Sequence, residues 1–403
     1  MFENKSKIMV AAIAAAFALP LAAQAQSSVT VYGKMYPAID NVNLSGATAK
    51  GTAVSTLSAA AATTADSTRT TMDAPNSRLG FRGTEDLGGN LKAIFQLEMG
   101  FNIDTGAASS TTQLFSRDTF VGLAGDFGTV RLGSVDTVYK TLGDTMSFLG
   151  ITSGNYMSTS NILSKGGFGT SSASSFHLRR TNSLMYDSPT IAGFTALFDL
   201  SLGEIAGNFS AQNVISTGIK YEAGPLYAAI AYERHNDLFG ASLNIPVALA
   251  NNTNLAAHSK DTAVRGTVQY KFPASIRAEV NVARLKYDET GGAVGKFDDY
   301  AHNTWSIAAE KVLGAVTLVA SYGQSGAGGC SLVGGIACNT SGLEAKMLNI
   351  GASYSFSKRT SVFAVASEMR NGVSAVQSNL INGSSLTPGQ DIRTIGVGLS
   401  HSF

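Results

Sequence analysis

Short segments in which apolar and polar side chains alternate recur along the whole chain. The clearest, LKAIFQLEMGF from Leu91 to Phe101, has an apolar residue at every odd position, and Lys92, Gln96 and Glu98 lie at even positions. Because successive side chains of a β-strand point to opposite faces, this period of two predicts strands with one apolar and one polar face. The repetition indicates an all-β protein.

The pattern predicts sixteen strands, most of about ten residues, the length that a tilted strand needs to cross a bilayer. The last, TIGVGLSHSF at 394–403, is apolar at odd positions apart from His401. The segments near 115–124 and 359–370 are less regular, because apolar residues occur on both faces. The predicted strands start near residues 29, 77, 91, 115, 129, 177, 191, 212, 225, 262, 275, 302, 314, 346, 359 and 392.

The connectors between these segments alternate in length. Short ones such as GDFGT and YEAGP carry the turn-forming residues Gly, Asp and Pro. Short periplasmic turns that alternate with longer external loops are typical of outer-membrane barrels, whereas a soluble β-sandwich has no reason to separate its loops in this way. The long connectors are polar and cover residues 41–76, 102–114, 137–176, 203–211, 235–261, 288–301, 323–345 and 371–391.

A sheet with an apolar outer face in lipid cannot keep an open edge, because every backbone polar group in the bilayer must be hydrogen-bonded. We therefore predict a closed antiparallel barrel in which the terminal strand pairs with the strand at 29–39. Strand parity then directs Val29, Val31 and Met35 toward lipid.

The amino terminus has the features of a secretory signal. Lys5 and Lys7 precede an apolar run, and the sequence Ala-Gln-Ala fits a cleavage site between Ala25 and Gln26. The run is shorter than the roughly 20 residues that a membrane-spanning helix needs, so we favour a cleaved signal over a membrane anchor. The mature barrel is then expected to cover residues 26–403. No later apolar run reaches the length of a spanning helix.

Composition argues against several classes of function. The chain has 29 basic and 28 acidic residues, and removal of the signal makes these numbers equal, so we expect no nucleic-acid partner. No Gly-x-Ser-x-Gly, Walker or His-Glu-x-x-His motif occurs, and the five histidines are scattered. We therefore expect no catalytic residues, no metal site and no cofactor.

Cys330 and Cys338 are the only cysteines, and they lie in a glycine-rich segment. Export to an oxidising compartment favours a disulfide between them, and two free thiols are the alternative.

Several longer motifs occur in order along the mature chain. With them, the chain resembles the trimeric Gram-negative porins, particularly the general diffusion porins of β-proteobacteria. The motifs are SSVTVYGK after the signal, SRLGFRGTEDLGGNLKAIFQLE, SRDTFVGLAGDFGTVRLG, RRTNSLMYDSPTIAGF and the terminal Phe403.

The resemblance implies a 16-stranded antiparallel transmembrane β-barrel, with the third external loop, at 137–176, folded into the lumen. It implies three barrels per assembly in the bacterial outer membrane, in contact with lipid and lipopolysaccharide. It also implies that a terminal strand ending in Phe403 is an assembly signal for the outer-membrane insertion machinery.

Basic residues are the principal candidates for the narrow part of such a channel. Strand parity directs five candidate charges to the lumen, namely Lys34, Arg78, Arg82, Glu98 and Arg131. The resemblance adds Arg117, which precedes the Phe-Val-Gly-Leu motif. It also adds Arg179, which shares its parity with Ser183. Each of these could also be an ordinary solvated lumen charge.

Acidic candidates are fewer. The third loop departs from better-known enteric porins, because it lacks their Pro-Glu-Phe-Gly-like turn and Asp144 is its only carboxylate. Asp144 and Glu98 are therefore the best acidic partners for a transverse field across the channel. Since basic candidates outnumber acidic ones, we predict a mild preference for anions.

The predicted function is passive diffusion of ions and small hydrophilic solutes through a water-filled lumen. Two alternatives remain open: an adhesin or structural barrel with a plugged lumen, and an outer-membrane enzyme such as a phospholipase, for which we find no Ser-His pair. Small residues predicted to face the lumen, Ser353, Ser355, Gly396 and Gly398, favour an open space, although small residues also suit a trimer interface or a barrel seam.

Overall fold

A computed structural model describes residues 28–74, 76–146, 149, 157–169, 171–380 and 386–403. The predicted signal and its cleavage site between Ala25 and Gln26 lie outside the described residues. The described chain is almost entirely β, with two short helices. Neither helix is long or apolar enough to cross a membrane, as judged over this described part of the chain.

The described residues form nineteen strand segments and two helices. The strands are β1 (Ser28–Met35), β2 (Ala38–Ser45), β3 (Ser67–Asp73), β4 (Arg78–Gly88), β5 (Leu91–Gly100), β6 (Thr119–Gly125), β7 (Gly128–Asp136), β8 (Arg179–Asp187), β9 (Phe194–Ser201), β10 (Val214–Ala223), β11 (Leu226–Asn236), β12 (His258–Phe272), β13 (Ile276–Thr290), β14 (Phe297–Leu313), β15 (Val316–Ser325), β16 (Gly329–Leu332), β17 (Ala345–Ser355), β18 (Thr360–Asn371) and β19 (Asp391–Ser402). The helices are α1 (Val138–Gly143) and α2 (Ser160–Leu163), both between β7 and β8.

These segments make sixteen barrel strands, as predicted. β1 and β2 are one strand interrupted at Tyr36 and Pro37, because proline has no N–H to donate to the sheet. β3 and β4 form the next strand, and the pairing shifts by one residue between Lys34↔Arg78 and Ala38↔Asp73. β16 is a short addition to β14 within an external loop. Every neighbouring pair is antiparallel.

The sheet closes where the prediction put the seam. β19 pairs with β2, as in Gly398↔Ala38, and with the end of β1, as in Lys34↔Ser402. The last residue completes this contact: the backbone N–H of Phe403 donates to the carbonyl of Gly33, and the N–H of Gly33 donates back, both at 3.1 Å. The barrel therefore has paired strands around its whole circumference.

Side chains alternate between the two faces as the period of two predicts. Val29, Val31 and Met35 are exposed on the outer face, whereas Lys34 between them is buried on the inner one. In the ambiguous segment near 115–124, Val121 is 60% exposed on the outer face. The apolar outer surface that a soluble protein would cover is left for lipid.

Some strands extend further from the membrane than expected. The first external loop covers residues 46–66, whereas 41–76 was predicted. The loop predicted at 288–301 covers only residues 291–296. β14 alone has 17 residues. Beyond the bilayer the outer side chains are hydrated, so the apolar alternation ends before the backbone hydrogen bonds do. The sequence pattern therefore underestimates strands at their external ends.

The third external loop folds into the lumen, as expected. α1 packs against β10, β11 and β12, and α2 packs against β14 and β15. Inward-facing side chains hold the loop: the hydroxyl of Tyr227 donates to the carbonyl of Leu142 at 2.8 Å, and Thr304 donates to Ile162 at 2.8 Å. The loop thus lies along one wall and leaves the opposite wall, formed by β1 and β4 to β8, facing the passage.

Candidate pore constriction

A row of charged side chains crosses the inner wall where the third loop meets it. It contains five cations, Lys34, Arg78, Arg117, Lys140 and Arg179, and three carboxylates, Glu98, Asp118 and Asp136. We call this set the charged row. Its members lie on β1, β4, β5, β7 and β8, on the segment before β6, and on α1.

Glu98 is the centre of the first half of the charged row. Its carboxylate accepts a hydrogen bond from the hydroxyl of Tyr32 at 2.9 Å and pairs closely with Nε of Arg117. Nε of Arg78 lies 3.7 Å from the same carboxylate. Only 7% of the Glu98 side chain is exposed, whereas the arginines are 22% and 29% exposed. The cations therefore face the water and the carboxylate lies behind them.

Arg179 is the centre of the second half. Its Nε donates to Asp118 at 2.8 Å, and its Nη2 lies 2.8 Å from Asp136. The same carboxylate oxygen of Asp136 accepts a hydrogen bond from Nζ of Lys140 at 2.8 Å. Because Lys140 belongs to α1, this shared carboxylate joins the loop to the wall.

The charged row has an excess of two positive charges, since five cations face three carboxylates. Partly buried charges are screened less than charges in bulk water, so the excess raises the local potential in the passage. Such a surface attracts anions and disfavours cations.

Two predicted lumen arginines lie outside the charged row. Arg82 faces the lumen nearer the periplasmic turn, with its guanidinium 4.8 Å from the centre of the Tyr32 ring. Arg131 lies near the periplasmic end of β7 and pairs with Asp187. Both are lumen charges, but at levels closer to the periplasm.

The structure does not bring Asp144 to the passage. Its side chain is 7% exposed and lies between His177 and Arg265, with Nη1 of Arg265 at 3.6 Å. Burial raises the pKa of Asp144, but the neighbouring His177 and Arg265 outweigh that effect, so its pKa lies below the usual value. The carboxylate anchors the loop, because the fully buried Arg265 on β12 needs a partner.

The two carboxylates that were predicted to form an acidic surface opposite the charged row, Glu98 and Asp144, therefore do not do so. Glu98 lies on the same wall as its cations, and Asp144, which belongs to the loop, is buried against Arg265 of the wall behind it. This arrangement differs from the transverse field that we expected, in which acidic and basic charges face each other across the water.

Several charged residues of the lumen and the third loop were not predicted from the sequence. Arg180 also faces the lumen, where its Nε donates to Ser201 at 3.3 Å, because Asn182 with φ of 55° breaks the alternation of β8. The spacing of four between Asp136 and Lys140 could have revealed their pairing on a helical turn. Nothing in the sequence indicated that the buried Arg265 supports the loop.

A second polar space of about 530 Å³ lies on the periplasmic side of the loop. Its lining includes Thr141 and Thr145 of the loop together with six charged residues. Four of these are cations, so this vestibule continues the positive character of the passage. The charged lining residues are Arg131, Lys220, Lys271, Arg277, Asp187 and Glu222.

Cys330 and Cys338 form a disulfide, with their Cα atoms 5.6 Å apart. Cys330 belongs to β16, so the bridge lies in the external loop between β15 and β17. Within the described part of the chain, no group of three or more His, Cys, Asp or Glu side chains could hold a metal ion.

Comparison with known proteins identifies the family. The family described as Gram-negative porin matches residues 10–374. The chain belongs to this family. It is 27% identical over 391 residues to the major outer membrane protein P.IB of Neisseria meningitidis serogroup B, covering 96% of this chain and 97% of the relative. It is 28% identical over 414 residues to outer membrane porin protein 32 of Delftia acidovorans, covering 99% and 100%.

Solved structures support the same fold. The anion-selective porin from Comamonas acidovorans superimposes with a TM-score of 0.66 at 21% identity, covering 94% of this chain and all of that one. The trimer form of OmpT from Vibrio cholerae gives 0.61 at 13% identity, covering 94% and 99%. The protein is thus an outer-membrane porin, whose 16-stranded barrel forms a water-filled channel for passive diffusion of ions and small hydrophilic solutes.

Proposed function

We propose that this porin is a general diffusion channel with a mild preference for anions, and that the charged row is the filter. The observation that carries the proposal is the excess of two positive charges where the third loop meets the wall. The cation-rich vestibule below the loop favours the same sign. The name of the related anion-selective porin from Comamonas acidovorans agrees with it.

The proposal also covers assembly and export. The trimer form reported for OmpT and the resemblance to trimeric porins support a homotrimer in contact with lipid and lipopolysaccharide. We further propose that the signal is cleaved between Ala25 and Gln26, that the disulfide persists after export, and that the Phe403 strand is read by the outer-membrane insertion machinery. The channel needs no cofactor and performs no covalent chemistry.

Reversal potentials across a planar bilayer under a KCl gradient test the filter. We expect the purified porin to give the sign of an anion-preferring channel. Replacing Lys34 and Arg78 together with Gln removes the excess charge, so the reversal potential should move toward that of an unselective pore. Lys50 lies exposed in the first external loop, and Lys50→Gln is the control that should leave the potential unchanged.

Cation selectivity of the unmodified porin would contradict the proposal. A bilayer that stays silent would favour the plugged-barrel alternative. Conductance steps that occur in threes are expected for a homotrimer, and single steps would argue against it.

A further inference from the structure

The first external loop folds back toward the lumen instead of extending into the medium. Leu57, near the middle of this loop, is fully buried. It belongs to the hydrophobic cluster that contains Phe168 of the third loop and Tyr300 of β14, whose rings lie 5.3 Å apart. Because both of these side chains lie inside the barrel mouth, part of the first loop covers that mouth. We call residues 48–58 the lid.

The loop between β15 and β17 holds the lid at one point. The carbonyl of Asn339 accepts hydrogen bonds from the backbone N–H of Thr56 and from the hydroxyl of Ser55, both at 2.8 Å. The N–H of Asn339 donates back to the hydroxyl of Thr56 at 2.9 Å. This one residue therefore makes three hydrogen bonds with the lid.

The last external loop holds the lid at a second point. The backbone N–H of Ser55 donates to the hydroxyl of Ser374 at 2.8 Å, and the hydroxyl of Ser58 donates to the carbonyl of Ser374 at 2.6 Å. The hydroxyl of Ser374 donates in turn to the carbonyl of Ser341 at 2.6 Å. The two loops therefore form one continuous support for the lid.

The disulfide fixes this support to the barrel wall. Cys338 directly precedes Asn339, and its partner Cys330 lies on β16, which pairs with β14. The segment between the cysteines contains Gly334 and Gly335 with positive φ, and glycine leaves a chain much conformational freedom when nothing else holds it. A disulfide restricts the freedom of the chain that it closes. The bridge therefore positions the residue that makes three hydrogen bonds with the lid.

The lid is nearly free of charge. Lys50 is the only charged residue among residues 48–58, and its side chain is exposed. A covering segment without other charges obstructs solutes by its bulk and changes the electric potential of the entrance little. Its hydrogen bonds are individually weak, because water competes for the same groups. The buried Leu57 and the bridged support are therefore the anchors that keep the lid in place.

We propose that the lid is a size filter at the external entrance of the channel, and that the Cys330–Cys338 disulfide keeps it closed. The charged row then selects by charge at the third loop, whereas the lid limits the size of solutes before they reach that level. Release of Leu57 opens the space that the lid occupies. The proposal goes beyond the charge filter and rests only on the channel function of the porin.

Reduction of the disulfide releases the lid in a porin that is already folded. Both cysteines are only partly buried, so a small thiol in the external medium can reach them. A dithiol such as dithiothreitol supplies two electrons and two protons and becomes a cyclic disulfide itself. The bond between the two Sγ atoms breaks, and Cys330 and Cys338 become thiols. The support around Asn339 is then held without its covalent tie to β16.

Entry of neutral polymers from one side of a planar bilayer tests the lid. Polyethylene glycols that are small enough to enter lower the conductance, and the largest polymer that does so is determined for each side separately. Reduction of the unmodified porin should raise this limit on the external side, and so should the double variant Cys330→Ser, Cys338→Ser. Because coil size grows only as the square root of length, a moderate widening should raise the limiting polymer mass about twofold. The limit on the periplasmic side should stay the same.

Leu57→Ser tests the lid without a change at the cysteines. The variant removes the buried anchor, so the external limit should rise although the disulfide is intact. Leu114→Ser, at a 64% exposed site in the second external loop, is the matched control and should leave both limits unchanged. Dithiothreitol should have no effect on the double cysteine variant, because the bond that it reduces is absent.

An external limit that stays the same in both the reduced porin and the Leu57→Ser variant would overturn the proposal. A rise of the limits on both sides would also overturn it, since the third loop would then have moved as well. Reversal potentials under a KCl gradient are measured in parallel. A changed potential would show that the lid and the charged row are not separate filters, whereas a higher external limit with a constant potential supports the proposal.

Discussion

Glu98 partly neutralises the cations of the charged row and so limits the positive potential in the passage. It is the innermost member, and it pairs with Arg117 while Arg78 lies 3.7 Å away. The backbone explains why it can do so: β5 directs Glu98 inward, and Tyr32 reaches over Gly80, where a side chain would collide with its ring, to donate to the carboxylate. The charge balance of the channel thus depends on one nearly buried carboxylate.

Replacing Glu98 with Gln should strengthen the preference for anions. The change keeps the shape of the side chain and removes one negative charge about 10 Å from a passing ion, which in water is worth roughly 0.4 kcal/mol. Because the anion gains this amount and the cation loses it, the anion-to-cation permeability ratio should rise about fourfold in reversal-potential measurements. Glu222→Gln, at a carboxylate that is 55% exposed in the wide vestibule, is the matched control and should have a smaller effect. An unchanged ratio for Glu98→Gln would show that the charged row does not filter ions.

The residues of the charged row also show where strand alternation predicts correctly which side chains face the lumen. Lys34, Arg78 and Glu98 lie inside regular strands, and alternation alone placed them on the inner face. Arg117 precedes β6, so only the resemblance placed it. Arg180 lies beside the irregular Asn182, and parity gave it the wrong face. Strand alternation predicts the face to which a side chain points only where the strand is regular.

The position of the third loop in the chain could be predicted from the sequence, but the wall of the barrel against which it packs could not. Its position follows from side chains on distant strands, such as the buried Arg265 and Tyr227, whose bonds to the loop carbonyls have no local signal. Its external half packs as a hydrophobic cluster in the barrel mouth, with the ring of Phe168 5.2 Å from Tyr287 and 5.3 Å from Tyr300. The barrel therefore holds the loop, in addition to contacts within the loop such as that between the rings of Tyr139 and Phe176, 6.0 Å apart.

Lys165 links the third loop to the last external loop. Its Nζ donates to Asn161 at 3.3 Å and to the carbonyl of Ser378 at 3.2 Å. Burial lowers the pKa of Lys165 from 10.5 to about 8. Between these two values the docked loop binds fewer protons than a solvated lysine does, so the docked arrangement gains stability as pH rises. Below pH 8 the lysine is charged in both states, and the cost of burying that charge is fully present.

We expect the contact between the two loops to tighten from pH 7 to pH 10. Hydrogen exchange of residues 157–169, corrected for the intrinsic pH dependence of exchange, should show greater protection at the higher pH. Lys165→Met keeps the stem and removes the charge, so its loop should be protected at both values. Lys50→Met, at an exposed site, should behave like the unmodified porin. A Lys165→Met variant that retains the full pH dependence would contradict this account.

The whole molecule depends on closure of the sheet, and closure could be predicted from the sequence because lipid forbids an open edge. The pairing of the two ends follows from that constraint, whereas the number of strands follows from counting the segments of alternating side chains. The interruption at Tyr36 and Pro37 could not be foreseen in the same way, because it accompanies a shift of one residue between the pairing of β1 with β4 and that of β2 with β3. Tyr36 stacks on Phe363 of β18 at 4.4 Å inside the barrel, which stabilises the wall at this break.

The last residue of the chain completes the cylinder, and the prediction at this scale concerns assembly. The ring of Phe403 lies over Gly33, where a side chain would collide with it, and its backbone makes two hydrogen bonds with Gly33 at the end of the seam. Phe403→Ala keeps the backbone bonds and removes the ring, which is 40% exposed and whose remaining contacts are worth roughly 1 kcal/mol. The ratio of folded to unfolded porin, read from heat-modifiable gel mobility after refolding, should fall about fivefold.

Phe356→Ala is the control, because it removes a 65% exposed ring from a periplasmic turn and should refold normally. If Phe403→Ala refolds normally in vitro but fails to reach the outer membrane in cells, the ring serves recognition by the insertion machinery instead of closure of the barrel.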